Sequence, residues 1–385
     1  LIVRLAIAAI SLSVAVMLIT VSVVVGFKKQ IEEKVIGFSA PIQISGEFLS
    51  TTFENVPFVD DKSTREIVSG KDFVEHIQAF ATKPAILKND GDFEGIVLKG
   101  YDSSYLKKAI EPFLVEGRMV NHVAGEEVKE VVVSGELADK LSIDTGDVLQ
   151  VWFVQDPPVI KRVKAVGIYR TDIEEIDQYF VLTDLRLINR VNGWKRNEIG
   201  GYEVFVSDFR LDDIQKQNTD IRLDIDIDLN SQSILTRYPQ IFDWLGLLDK
   251  NVQIIIILMT VVAIINMITA LLIMILERTQ TVGVLKAMGH SNWGLRKVFI
   301  YNAAYFIATG LLIGNALGLG VIVLQDQTQL ISLTSDYYIT YVPVEFTWGY
   351  FLLINIGTLL VCSLAMLLPS LLVTNIVPVK ALRFN

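Results

Sequence analysis

Four long apolar runs punctuate the chain: Leu5 to Val25, Val252 to Leu276, Phe299 to Leu324 and Trp348 to Thr374, none containing a Lys, Arg, Asp or Glu. At 1.5 Å per helical residue even the shortest covers roughly 30 Å, the thickness of a hydrocarbon core, so each predicts a transmembrane helix. In the hydrophilic block between the first two runs the pattern changes. Segments 41–45, 96–99, 130–134, 147–154, 161–168, 179–183 and 202–206 are rich in β-branched and aromatic residues and bounded by turn formers, which predicts strands. Asp72 to Thr82 places Phe73, Ile77 and Phe80 at helical spacing, and Leu211 to Asn218 is a second helix candidate. Both ends of the block thus read as strand, helix, strand around a β-richer insertion at 105–199, which predicts two lobes.

Basic residues in the short connections set the direction of threading. Glu277 to Val298 holds Arg278, Lys286, Arg296 and Lys297, the tail holds Lys380 and Arg383, and Arg4 precedes the first run. Gln325 to Thr347 has no basic residue and carries Asp326, Asp336 and Glu345. Both termini are therefore expected in the cytoplasm and the large block outside it. Trp244, Tyr337, Tyr338, Tyr341, Trp348 and Tyr350 then fall at the outer interface and Trp293 at the inner one. The first run sits where a signal peptide would, but it is longer than an h-region and no A-x-A pattern closes it. The chain begins at Leu1 rather than Met, which leaves room for a preceding segment.

Charge divides along the same line. Residues 28–248 hold 26 basic and 38 acidic side chains, a net of −12, and the remainder holds 8 and 5, a net of +3. An acidic outer block argues against nucleic acid as a partner. The lone Cys362 lies in the last run, so neither an intrachain disulfide nor a cysteine metal cluster is possible.

Candidate chemistry in the block is sparse. Asp224, Asp226 and Asp228 open like a calcium loop, yet Leu229 stands at the glycine turn and Leu235 at the bidentate glutamate, so alternation with Leu223, Ile225, Ile227 and Leu229 reads better as a strand with one wet face. Asp172, Glu174, Glu175 and Asp177 read as a solvated acidic loop, and His76, His122 and His290 as separate surface histidines. No metal site is expected. No G-x-x-x-x-G-K-[ST] phosphate loop occurs, so the chain is not expected to hydrolyse nucleotide itself.

Within the third run Gly310, Gly314 and Gly318 stack on one helical face, open to close approach by another helix, and intrachain packing is the favoured expectation. Ala9 with Ser13 and Ser11 with Ala15 form weaker small pairs in the first run, and Pro369 predicts a kink in the fourth. In the connection after the second run, Val282, Leu285 and Met288, with Val284, form an apolar stripe ending at Gly289, which predicts a short helix with a glycine stop.

The order of one span, a large outer domain and three spans, with ERTQTVGVLKAMG after the second, resembles the FtsX-like and MacB-like ABC transporter permeases. GFKKQIEEKVIGFSAPIQIS, VVVSGELADKLSIDTGDVLQV and the terminal PVKALRF are similar, more narrowly, to the lipoprotein-releasing permeases of the LolC and LolE type. The resemblance implies a membrane α-helical fold of four transmembrane helices plus an α+β extracytoplasmic domain with porter-like and sabre-like lobes. It implies transmembrane helix 1 at 1–27, the porter-like lobe at 28–104 and 200–238, the sabre-like lobe at 105–199, and a stalk with helix 2 at 239–276. There follow a cytoplasmic coupling loop at 277–298, helix 3 at 299–324, an outer loop at 325–347, helix 4 at 348–374 and a tail at 375–385.

By the same resemblance Glu277, Arg278, Gly283, Val284, Leu285, Lys286, Ala287, Met288 and Gly289 would couple to a separate cytoplasmic ABC ATPase dimer, which would carry the ATP and Mg that this chain does not bind. Gln155, Asp156, Pro157, Pro158, Val159 and Ile160 match the position of a carrier-binding hook, here short. The implied activity is non-catalytic: mechanical transmission through the second span and the stretch Ser231 to Asn251 that leads into it. Its implied output is lipoprotein release from the bacterial inner membrane to a periplasmic carrier. A second permease protomer and membrane lipid are the further implied partners. Two other readings stand beside it: an efflux permease working with a periplasmic adaptor, and a non-transporting regulator of a cell-wall hydrolase.

Overall fold

The structure is a computed structural model that describes residues 2–46, 53–123, 126–333, 341–367 and 369. Asp336, Tyr337, Tyr338, Lys380, Arg383 and the terminal PVKALRF lie outside the described residues, as do the flanks needed to judge a kink at Pro369. Two compact units emerge: one of Leu1–Gln30, Asp243–Thr334 and Thr340–Asn385, the other built on Ile31–Phe242.

Among the described residues the membrane unit draws on four helices long and apolar enough to cross a bilayer. These are α1 (Ile2–Ser39), α9 (Pro239–Glu277), α11 (Asn292–Thr328) and α12 (Trp348–Ala365), with the short α10 (Thr279–Ala287) between the second and third. Its apolar core joins Ile10, Val14 and Met17 of α1 to Met267 and Leu271 of α9, Phe306 and Ile307 of α11, and Ile354 of α12.

The outer unit holds twelve strands: β1 (Ile42–Gly46), β2 (Phe58–Val59), β3 (Val74–Asn89), β4 (Asp92–Tyr101), β5 (Leu114–Gly117), β6 (Glu130–Ser134), β7 (Val148–Phe153), β8 (Val159–Tyr169), β9 (Phe180–Asp184), β10 (Glu198–Ile199), β11 (Gly201–Val206) and β12 (Leu229–Ser233). Its helices are α2 (Lys62–Ser69), α3 (Lys107–Ile110), α4 (Gly135–Leu141), α5 (Glu174–Asp177), α6 (Leu185–Asn192), α7 (Leu211–Asp224) and α8 (Ile234–Arg237). Ten strands share one sheet in the order β12-β1-β11-β3-β4-β9-β6-β8-β5, with β7 pairing both β3 and β8. That double pairing closes β3, β4, β9, β6, β8 and β7 into a ring, while β12, β1 and β11 remain an open sheet beside it.

The long β3 belongs to both halves: Val74 to Phe80 pairs with β11, and Ile86 to Lys88 with β7. Pro84, which has no N–H to give, falls in the gap between the two partners. The ring and the open sheet are thus joined through β3 rather than built as separate sheets.

Five expectations are corrected by the fold. Asp72 to Thr82 is not a helix: from Val74 it is β3, because pairing on both edges outweighs a three-residue apolar spacing. The aspartate triplet is not a strand, since Asp224 ends α7 and β12 begins only at Leu229. Ser231 to Asn251 does not run unbroken into the second span: Ser231 and Ser233 lie in β12, Ile234–Arg237 is α8, and α9 starts at Pro239.

The acidic run is not a solvated loop. Asp177 is buried, its carboxylate accepting from Thr171 N, Thr171 Oγ1 and Asp172 N, and burial raises its pKa from the ordinary aspartate value despite those bonds. His122 is likewise not a surface residue. Its Nδ1 lies 2.7 Å from Asp184 Oδ2 beneath the rings of Tyr101 and Tyr105, and Asp184 also caps α6 through the Arg186 amide.

Candidate functional site

The candidates that follow the second span lie on α10 and at its two ends. Helix α9 ends at Glu277 because Arg278 leaves the helical region at φ −99° and ψ 10°, and α10 restarts with the Val282 amide on the Arg278 carbonyl at 2.9 Å. At the other end the His290 amide reaches the Leu285 carbonyl and the Gly289 amide that of Lys286, both at 3.0 Å. This double closure needs a left-handed residue, and Gly289 supplies it at φ 91°. Ser291 then caps α11 by accepting from the Gly294 amide at 3.2 Å. The reversal is fixed at both ends.

Val282 is 3 % exposed and Leu285 packs beside it on the membrane-unit core, which anchors the helix. Val284 and Met288, one turn apart, are 44 % and 72 % exposed, with Ala287, Glu277 and Arg278 also open. The predicted stripe is therefore divided: half holds the helix down, and half forms an outward apolar ridge flanked by charge. Gly283 is buried and Lys286 half-buried.

The glycine stripe of α11 lies on α1. A Cβ at Gly310 would come within 2.7 Å of Ile10 Cγ2, at Gly314 within 2.7 Å of the Ser11 carbonyl oxygen, and at Gly318 within 3.2 Å of Leu18 Cδ1. Sequence reasoning missed a second lock on α11: Asn315 and Asn355 exchange amide bonds at 2.7 and 3.1 Å. Their signal was an amide near the middle of each of two apolar runs, although Asn302 shares the third run with Asn315.

The hook candidates Gln155, Asp156, Pro157 and Pro158 form the turn between β7 and β8, and Val159 and Ile160 open β8. Trp152, Val154 and Ile160 stand exposed on this hairpin. Buried charge in the outer unit was missed: Lys99 and Glu203, 4 % and 1 % exposed, pair at 2.6 Å, with Gln78 on the second carboxylate oxygen at 2.8 Å. Glu203 is the one charge in β11 and Lys99 the one base in β4, set in the apolar half of that strand, and this opposition of sign was the readable signal. No group of three His, Cys, Asp or Glu able to hold a metal occurs among the described residues.

Four bilayer-length helices, a short anchored helix between two of them, and an α/β outer unit define a multi-pass membrane protein with one large extramembrane domain. Residues 4–217 match the MacB-like periplasmic core domain, and residues 253–378 match the FtsX-like permease C-terminal region. The chain belongs to this family of MacB-like and FtsX-like membrane proteins.

Among curated proteins it is 22 % identical to the lipoprotein-releasing system transmembrane protein LolC of Neisseria meningitidis serogroup B, over 98 % of this chain and 93 % of that one. It is 20 % identical to the protein LolE of the same system in Haemophilus influenzae, over 97 % and 92 %. The solved periplasmic region of MacB from Actinobacillus actinomycetemcomitans overlays 52 % of this chain and 91 % of that chain, at 14 % identity and a TM-score of 0.36.

Proposed function

We propose that this chain is the permease subunit of an ABC transporter that releases lipoproteins from the bacterial inner membrane to a periplasmic carrier, driven by a separate ATPase dimer. The observation that carries the reading is α10: a helix anchored by Val282 and Leu285, stopped by Gly289, and presenting Val284 and Met288 outward for a partner groove. Its basic flanks put it on the cytoplasmic side, where an ATPase docks. The names of the relatives and the length of the match support lipoprotein as the cargo class. In this reading a second permease protomer completes the cargo path, and the β7–β8 hairpin, with Trp152, Val154 and Ile160 exposed, contacts the carrier.

Moving a triacyl anchor of some forty-odd methylenes into water would cost roughly 35 kcal/mol gross, at about 0.8 kcal/mol per CH₂. Two-state rearrangements trade only a few kcal/mol. The anchor must therefore pass through continuous apolar shelter, with the helices transmitting motion rather than lifting the lipid through water.

The test is reconstitution with the ATPase in vesicles holding a labelled lipoprotein. ATP should send the label to a soluble carrier, and the double variant Val284→Asp with Met288→Asp should cut transfer at least tenfold while the melting temperature stays put, since both side chains are exposed. ATP-independent transfer, or full transfer by the double variant, sinks the proposal.

A further inference from the structure

The outer sheet carries a cavity of about 780 Å³ that crosses from its open strands onto the ring, within the range of small-molecule sites. Its floor runs from Gln232 on β12 through Gln43 on β1, Glu203 on β11 and Lys99 on β4 to Phe180 on β9. Five inter-strand gaps separate β12 from β9, which at about 4.8 Å each is roughly 24 Å. The two ends differ in chemistry. Toward β9, Phe38, Phe53 and Phe180 make an aromatic wall with ring centroids 5.3 and 5.6 Å apart.

Toward β12 stands Arg237. Its Nη1 donates to Gln43 at 2.9 Å and its Nη2 to the carbonyls of Ser39 and Ala40, while Nε is shut off from solvent with no acceptor. No carboxylate among the described residues pairs with it: Glu203 is taken by Lys99, and Glu54 at the rim by Lys83. Burial pulls the Arg237 guanidinium below its ordinary pKa, against the opposite pull of Tyr238 and Glu203. The wall thus carries one uncompensated positive charge, a costly arrangement unless an anion arrives to meet it.

We propose that this cavity binds a single-chain amphipathic anion, its carboxylate or phosphate facing the Arg237 guanidinium and its hydrocarbon chain lying toward Phe38, Phe53 and Phe180. One leaflet of a bilayer core is about 15 Å deep, so an acyl chain of ordinary length reaches most of the way from the cationic end to the rings. A fatty acid and a lysophospholipid share this chemistry.

The probe is a diazirine-bearing palmitate, photolysed with the full chain in phosphatidylcholine nanodiscs. Label should fall on peptides lining the cavity. Unlabelled palmitate and lysophosphatidylglycerol should compete, the stronger of the two naming the source, with hexadecanol at least tenfold weaker. Arg237→Gln should lower labelling about tenfold and Arg237→Lys should keep most of it. Arg237→Gln also removes the bonds to Ser39 and Ala40, so Thr236→Trp, which adds bulk at an exposed lining position, carries the test if the first variant melts early. Label confined to the membrane spans, equal competition by hexadecanol, or unchanged labelling in Thr236→Trp overturns the site. Lipoprotein transfer is a separate readout: its loss with palmitate labelling intact strikes the transport reading and not this one.

Discussion

In the membrane unit the tightest approaches are of a missing side chain to a neighbouring helix, with Gly314 against the Ser11 carbonyl and Gly310 against Ile10. The outer unit has close glycine approaches as well, at Gly117 and Gly201, but adds a sealed ion pair, a lysine and a glutamate 2.6 Å apart between strands. Lipid offers helices no hydrophobic reason to associate, so α1 and α11 rely on shape and close backbone contact. Water supplies that drive to the outer unit, whose large core of Val, Ile and Leu side chains can absorb the cost of a buried ion pair. The two units should accordingly fail to different insults.

The largest effect is expected from separating the ion pair. Lys99→Met leaves the Glu203 carboxylate buried without its cation and should cost the outer unit about 3–5 kcal/mol. Lys99→Met with Glu203→Leu should recover much of that loss, because two apolar groups need no partner. Chemical unfolding of the full chain in detergent, followed by Trp152 and Trp194 fluorescence in the outer unit, measures both. If the single and double variants are equally unstable, the pair is not what separates the two units.

Next comes the glycine contact. Gly314→Val drives a branched side chain at the Ser11 backbone, and overpacking of this kind costs about 1–3 kcal/mol. Gly320→Val, on the same helix with nothing within 4 Å of its Cβ, is the control and should be near neutral. Loss of the detergent-solubilised fold in the first variant alone would confirm that shape holds α11 to α1. Equal behaviour of the two would refute it.

How much of this was readable in advance follows the same division. The spans and the glycine face declare themselves locally, through hydropathy and a four-residue spacing, and so does the Gly289 stop after the α10 stripe. Seven strand segments in the outer block also show in composition. Which strand pairs with which does not: β3 was mistaken for a helix because its identity depends on β11, β4 and β7, all of them distant in sequence or later in the chain. His122 and Asp184 are 62 positions apart, and nothing near either announces the other. The division of α10 into an anchored and an open face was equally hidden, since Val282, Val284, Leu285 and Met288 are alike in hydropathy and only packing separates them.

The smallest expected effect is acid sensitivity confined to one unit. Asp60 accepts from Arg65 Nε at 2.7 Å, Arg65 Nη2 at 3.0 Å and Tyr202 OH at 2.6 Å. Burial works to raise its pKa, but the Arg65 and Tyr202 bonds prevail and hold it below the ordinary 3.8. Glu130, gripped by both Arg118 terminal nitrogens, is held below 4.5, with the Arg118 bonds the leading cause. A carboxylate whose folded value is depressed contributes stability that is fully present above its unfolded value and lost as pH falls through the folded one. The outer unit should therefore be insensitive to these groups at pH 6 and weaken below about pH 4. Asp60→Asn should flatten that slope by about 1 kcal/mol, because its neutral amide has no charge to lose. The four membrane runs contain no Asp, Glu, Lys, Arg or His, and the carboxylates of the Lys28–Asp249 and Lys29–Glu345 pairs beyond them are solvent-exposed, so helix packing should show almost no change over the same range. Parallel pH titrations, with a fluorophore at Trp293 for the membrane unit and Trp194 for the outer one, read the two responses separately. Acid loss of the same size and midpoint in both would mean that one cooperative transition, rather than two kinds of cohesion, governs the chain.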